Sequence, residues 1–150
     1  DERSFAWRLS GRQNLEFFGA LYGWGGAALR QRVKAVLDQV DLQSEGSRRV
    51  SELSSGMRQR LAVARGLLSD AELFLFDEPT RGVDPRQAFH LRQFIRDQMK
   101  NPSGPHTVVV ATHDLTEVAQ LCTRVILLEH GEVKGSADPD GAAQLLGLDA

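Results

Sequence analysis

Four short runs combine residue types and spacing that could do chemistry. Leu73-Phe74-Leu75-Phe76-Asp77-Glu78 is an apolar run ending in two carboxylates. A buried parallel strand presents side chains at its carboxyl end, where open α/β sheets bind ligands. One carboxylate there can hold Mg²⁺ through its hydration shell, and an adjacent one can orient and deprotonate an attacking water. The same pair would equally serve to cap the next helix. Leu53-Ser54-Ser55-Gly56-Met57-Arg58-Gln59-Arg60 opens a helix with hydroxyls and free backbone N–H groups. Such an end attracts phosphate through unpaired donors and the helix dipole, although a serine N-cap alone accounts for it too. Thr112-His113-Asp114 follows a second apolar run at 107–111, so the imidazole could reach a phosphate or the attacking water if the two runs are neighbours. By itself a histidine at a strand end is a surface or capping residue. Gly82-Val83-Asp84-Pro85 read alone is a turn and a helix start.

The elements that must position these groups fall into two styles. Apolar residues recur at helical spacing over 14–22 (Leu15, Phe18, Leu21, Tyr22) and 27–40 (Leu29, Val33, Val36, Leu37, Val40). A third helix spans 56–68, with Leu61, Ala64, Leu67 and Leu68 on one face. From residue 73 the runs 73–76 and 107–111 read as strands buried on both faces, separated by a helix over 85–99 with Pro85 near its first turn and a loop at 101–105. A helix at 115–121 follows. Residues 124–129 and 132–134 flank His130-Gly131 as a hairpin with a tight turn, and a short helix is expected after Asp138. Strand, helix, strand, helix, strand is the pattern of a parallel α/β sheet. With a helical annex but half a sheet, the chain reads as a piece of a larger domain.

Composition excludes more than it assigns. The 150 residues are 41% hydrophobic and 25% charged, an ordinary globular balance, with a net charge of -2. Nucleic-acid binding would favour a basic stripe, and no nucleic-acid partner is expected. The apolar runs fall far short of the roughly 18–20 residues a membrane helix needs, and no signal peptide is visible at Asp1-Glu2-Arg3-Ser4. Cys122 is the only cysteine, read as a reduced, buried thiol of a cytosolic protein. Four scattered histidines offer no zinc site.

In this order and spacing the four runs together are specific. The chain resembles the nucleotide-binding domain of ATP-binding cassette (ABC) transporters from its first residues to about Ala137. Leu53-Ser54-Ser55-Gly56-Met57 matches the signature motif, 73–78 the Walker B strand, Gly82 to Pro85 the D-loop, and His113 the switch histidine. The resemblance implies a P-loop NTPase-like α/β fold: a helical signature region over about 1–68, a core over about 69–137 and a tail at 138–150. It further implies ATP and Mg²⁺ as cofactors. Asp77 would organise the metal, Glu78 would be the catalytic base, and His113 would contact the γ-phosphate. Ser54, Ser55, Gly56 and Met57 would close over nucleotide held by a second nucleotide-binding domain, most simply in a homodimer, and Asp84 would link the two sites. A separate transmembrane permease subunit and a cytoplasmic location on the inner face of the membrane follow from the same likeness. Ser55 and Met57 stand where the family's commonest signature has Gly and Gln; this version is similar to that of exporters of drugs, polysaccharides and other hydrophobic cargo.

One family feature does not occur in these residues. A phosphate loop needs Gly-x-x-x-x-Gly-Lys-Ser/Thr, and the three lysines, Lys34, Lys100 and Lys134, precede Ala35, Asn101 and Gly135. The family's Q-loop glutamine is expected at or just before Asp1, so the chain is read as truncated there, its N-terminal strands and phosphate loop missing and its activity alone absent. Two other readings stay open: a non-catalytic or regulatory fragment lending its signature motif to a partner, and a soluble ABC ATPase without a transport role. Six of ten aromatics lie in the first 24 residues, where the family receives a helix of its membrane subunit. Phe18 and Tyr22 are read as core, Phe5 and Trp7 as partner contacts.

Overall fold

A computed structural model describes residues 4–69, 71–98 and 107–147. The loop expected at 101–105, the helix end at Met99 and the Q-loop position at Asp1 lie outside them.

Capping decides where the first helices begin. Ser10 Oγ accepts from the Gln13 N–H at 3.1 Å while Gln13 Oε1 accepts from the Ser10 N–H at 2.9 Å, satisfying two donors that a helix start leaves orphaned. This starts α1 (Gly11–Leu21) three residues earlier than its apolar spacing indicates. Helix α2 spans Gly26–Gln39, and a 3₁₀ turn at Val50–Glu52 leads into α3 (Ser55–Gly66). Helices α2 and α3 then satisfy each other's last carbonyls. The buried Arg60 of α3 donates to Val40 O at 2.9 Å and Asp41 O at 2.7 Å. In return Arg32 of α2 donates to Leu67 O, and Trp24 to Leu68 O, each at 2.9 Å. Leu15, Val33, Leu37, Leu61 and Leu68 are fully buried between the three helices.

Asn14 changes the reading of the N-terminal aromatics. Its side chain exchanges hydrogen bonds with the Ala6 backbone, at 2.8 and 3.1 Å, and so folds that segment over α1. Phe5 is thereby core, 3% exposed, edge-on to Phe18 and beneath Arg65, so its expected role as a partner contact is corrected. Trp7 is exposed and stacked by Arg58 at 5.2 Å. Phe18 packs against the core as expected, whereas Tyr22 is half exposed because it lies one residue beyond the last turn of α1.

In the second half, β1 (Leu73–Asp77), α4 (Pro85–Gln98) and β2 (Thr107–Ala111) form a strand-helix-strand unit. The strands pair in parallel, Leu73 opposite Thr107 through Asp77 opposite Ala111. Neither is buried on both faces as expected. Phe74, Val108 and Val110 pack onto the helical core, while Leu75 is 72% and Val109 51% exposed. Among the described residues, only one face of the pair has helices to cover it. After α5 (Leu115–Leu121), β3 (Val125–Glu129) does not extend that sheet, as the alternating pattern led us to expect. It pairs antiparallel with β4 (Glu132–Ala137) in a separate two-stranded sheet. A two-residue turn closes a hairpin at small entropic cost, and His130 and Gly131, with φ of 51° and 81°, supply the positive dihedrals such a turn requires. A short α6 (Ala142–Leu145) lays Leu145 over Gly135, where an added Cβ would stand 2.6 Å from its Cδ1. No described helix is long and apolar enough to cross a membrane.

Asp114 caps α5, accepting from the Thr116 N–H at 2.7 Å. Burial pushes its carboxyl up, but the backbone and hydroxyl of Thr116 and the Arg92 guanidinium outweigh that and hold it below its ordinary value of 3.8. A carboxyl lowered on folding stabilises above the unfolded value and loses that contribution as pH falls through the folded one. We therefore expect Asp114→Ala to lower stability by about 1 kcal/mol at neutral pH. The difference should close in acid, which urea melts across pH 7 to 2.5 would follow. The Cys122 thiol is half-buried rather than buried, and desolvation together with the Glu117 charge pushes its pKa up.

Candidate nucleotide-hydrolysis site

Parallel pairing of β1 with β2 brings the first and third chemical runs together. Asp77 lies opposite Ala111 at the carboxyl ends of the two strands, and the Glu78 N–H donates to Ala111 O at 2.8 Å. Beyond β2, His113 Nδ1 stands 2.5 Å from Glu78 Oε1. Where Glu78 is a carboxylate it can only accept, so the contact then uses the Nδ1–H tautomer of His113, and the Nε2 edge of the largely exposed ring is left for another partner. Asp77 is exposed beside it. Its carboxylate has no hydrogen-bond or ion-pair partner among the described residues.

The signature run is placed against the same turn. Ser54 Oγ caps α3 by accepting from the Met57 N–H at 3.2 Å, so the serine cap is real. Ser54 at the cap and Ser55 at the first position of the helix are also exposed, with Gly56 buried and Met57 partly buried. Gly56 packs on the D-loop run: a Cβ there would lie 3.0 Å from Gly82 O and 3.4 Å from the Val83 Cα. Backbone cannot yield as a flexible side chain can, so this close approach requires glycine. Asp84 accepts from the Gln87 N–H at 3.1 Å with Pro85 in the first turn, the helix start expected of that run. An open cleft of about 770 Å³ runs between α3 and β1, lined by Ser55, Gln59, Arg65, Asp77, Glu78 and Arg81 among others.

Two side chains that sequence reasoning did not single out complete the site. Gln59 Nε2 donates to Glu78 O at 2.8 Å, and Glu117 on α5 accepts from the Thr80 N–H at 3.2 Å and from the Thr80 hydroxyl. Gln59 left no signal, being an ordinary helix residue among polar neighbours. Glu117 did leave one: an acid next to Val118 and one turn before Leu121, on the face of α5 that is buried.

The site lies on a chain whose relatives are known. The family model for the ABC transporter matches residues 2–81, and the chain belongs to that family. It is 37% identical over 141 residues to the daunorubicin resistance ATP-binding protein DrrA2 of Streptomyces coeruleorubidus, a match covering 94% of this chain and 43% of that protein. Over 126 residues it is 36% identical to the ABC transporter ATP-binding protein NatA of Bacillus subtilis (strain 168), covering 84% and 50%. Over 129 residues it is 35% identical to the Nod factor export ATP-binding protein I of Rhizobium sp. (strain N33), covering 85% and 41%. The chain thus spans half or less of the length of these relatives. The fold superposes with a TM-score of 0.81 and 26% identity on a solved dimeric structure of a post-hydrolysis state of the ATP-binding cassette MJ0796 bound to ADP and Pi, covering 93% of this chain and 60% of that one. This likeness supports the partial P-loop NTPase-like α/β fold expected from the motifs.

Proposed function

We propose that the protein carrying this chain is the ATP-hydrolysing subunit of an exporter-type transporter, with Glu78 as general base and His113 as its partner at the γ-phosphate. The 2.5 Å contact between Glu78 and His113, made by residues 35 positions apart at the ends of neighbouring strands, carries this reading. Asp77 fits Mg²⁺: it is an exposed carboxylate with no hydrogen-bond or ion-pair partner among the described residues, and this ion prefers oxygen ligands, keeps several waters and needs few carboxylates from the protein. When bound, Mg²⁺ would neutralise charge on the triphosphate. Glu78 would accept the proton of the attacking water, and His113, oriented through Nδ1, would present its other edge to the transferring group. Ser54, Ser55 and the N–H groups at the start of α3 would hold phosphate of nucleotide bound by a second copy, with Met57 behind them and Asp84 at the junction of the two sites. The name of the Nod factor export protein supports export, and the dimeric MJ0796 structure supports pairing. Association with a separate permease on the inner face of the membrane is part of the proposal, as is the division near residues 68 and 137.

The 150 residues contain no phosphate loop, so what the Asp77-Glu78 end of β1 offers a bound nucleotide is acidic, without the lysine and backbone N–H groups with which such a loop offsets triphosphate charge. The full-length protein should release phosphate from Mg-ATP, whereas the isolated chain should release none and show no calorimetric binding at micromolar concentrations. A full-length protein without Mg-dependent turnover would overturn the proposed activity. Low-micromolar affinity of the isolated chain would show that nucleotide affinity resides elsewhere than supposed.

A further inference from the structure

Glu117 has no part in the chemistry above, yet its residue is only 1% exposed. It is held through one oxygen. Oε1 accepts from the N–H and the hydroxyl of Thr80, while the buried Oε2 has no hydrogen-bond partner among the described residues. Burying an acid so sparsely satisfied is unfavourable, and a leucine would fill the same space without that penalty. Packing alone therefore does not explain this residue. Among the described residues its one hydrogen-bond partner, Thr80, is 37 positions away, so the tie runs from the helix after His113 to the turn after Glu78.

That turn needs restraint. Glu78 has φ of 47°, the left-handed region that a non-glycine residue occupies only where its surroundings enforce it. The turn continues with Arg81 N–H donating to Glu78 O and Val83 N–H to Thr80 O, each at 3.1 Å. Among the described residues, three hydrogen-bonding groups from outside hold it. Ala111 O receives the Glu78 N–H, Gln59 donates to the Glu78 carbonyl, and Glu117 grips Thr80 two residues on. Only Glu117 comes from the helix that follows His113. Arg92 of α4 fixes that helix in turn, donating to Gln120 Oε1 at 2.8 Å and lying 4.0 Å from Asp114.

We propose that Glu117 is a positioning residue for hydrolysis: by clamping Thr80 it holds Glu78 in register with His113. The inference rests on Glu78 being the base. It is tested by steady-state phosphate release in the full-length protein for Glu117→Leu, Thr80→Val, their double variant and Thr80→Ser, with Glu78→Gln alongside. A displaced base lowers kcat, so each of the first two should lose roughly tenfold in kcat with KM for Mg-ATP nearly unchanged. The double variant should be no slower than the worse single one, and Thr80→Ser, which keeps the hydroxyl, should recover most of the rate. A merely structural clamp would instead lower Tm and leave kcat of the folded fraction intact. Near-normal kcat in Thr80→Val, a loss confined to KM, or additive losses in the double variant would each overturn the proposal. Should Glu117→Leu fail to fold, the Thr80→Val and Thr80→Ser pair decides. A slow Glu78→Gln beside a normal Thr80→Val removes only this inference, whereas a normal Glu78→Gln removes the base assignment and the inference with it.

Discussion

Glu78→Gln in the full-length protein should leave Mg-ATP binding intact and slow hydrolysis by about 10²-fold or more, the scale expected when a general base is lost. The amide is isosteric with the carboxylate, and its oxygen can still accept from His113 Nδ1, so the 2.5 Å contact and the ring orientation can survive. The backbone grip on residue 78, through Ala111 O and Gln59, does not involve the side chain at all. What the variant lacks is the capacity to take a proton from water. Turnover and nucleotide binding should therefore separate, and family likeness adds that the variant should collect as an ATP-bound dimer visible by light scattering. Phosphate release near the parent rate would remove Glu78 from the catalytic role and leave the Asp77-Glu78 pair as a strand terminus.

The largest stability effect is expected inside the helical region. Leu61 on α3 is 1% exposed and lies within 3.6 Å of the position a Gly11 Cβ would take, so α1 and α3 meet on it. Truncation to alanine leaves a cavity between helices whose ends are tied by Arg60, Arg32 and Trp24 and cannot easily close it. We expect Leu61→Ala to lower the stability of the chain by about 2–5 kcal/mol, with Tm falling roughly 2–4 °C for each kcal/mol. Leu75→Ala is the internal contrast. Leu75 is also an apolar residue, but it is 72% exposed on the uncovered face of β1, so its truncation should stay within about 0.5 kcal/mol. Equal losses at the two sites in thermal melts would mean that the outer face of β1 is covered in solution, by association of the chain with itself through exposed strand edges.

The sequence by itself determined whatever depends on near neighbours along the chain. Helical spacing located α1 to α5, Pro85 marked the start of α4, and His130-Gly131 set the hairpin turn, because a period, a missing N–H and a positive φ are all local properties. The spacing of Ser54–Gly56, Asp77-Glu78, Asp84 and His113 also made the family legible. Boundaries already needed more: α1 began at Gly11 because Ser10 and Gln13 cap each other, which apolar spacing does not report. Tertiary structure alone decided burial and contact. Phe5 entered the core because Asn14 ties down the Ala6 backbone. Leu75 and Val109 stayed exposed because helices cover one side of the pair, although a continuous apolar run reads as buried on both. Gln59 and Glu117 reach the turn at Glu78–Thr80 from 19 and 37 positions away. A hydrogen bond of that span is specified by how helices and strands pack, and no pattern within a single segment encodes it.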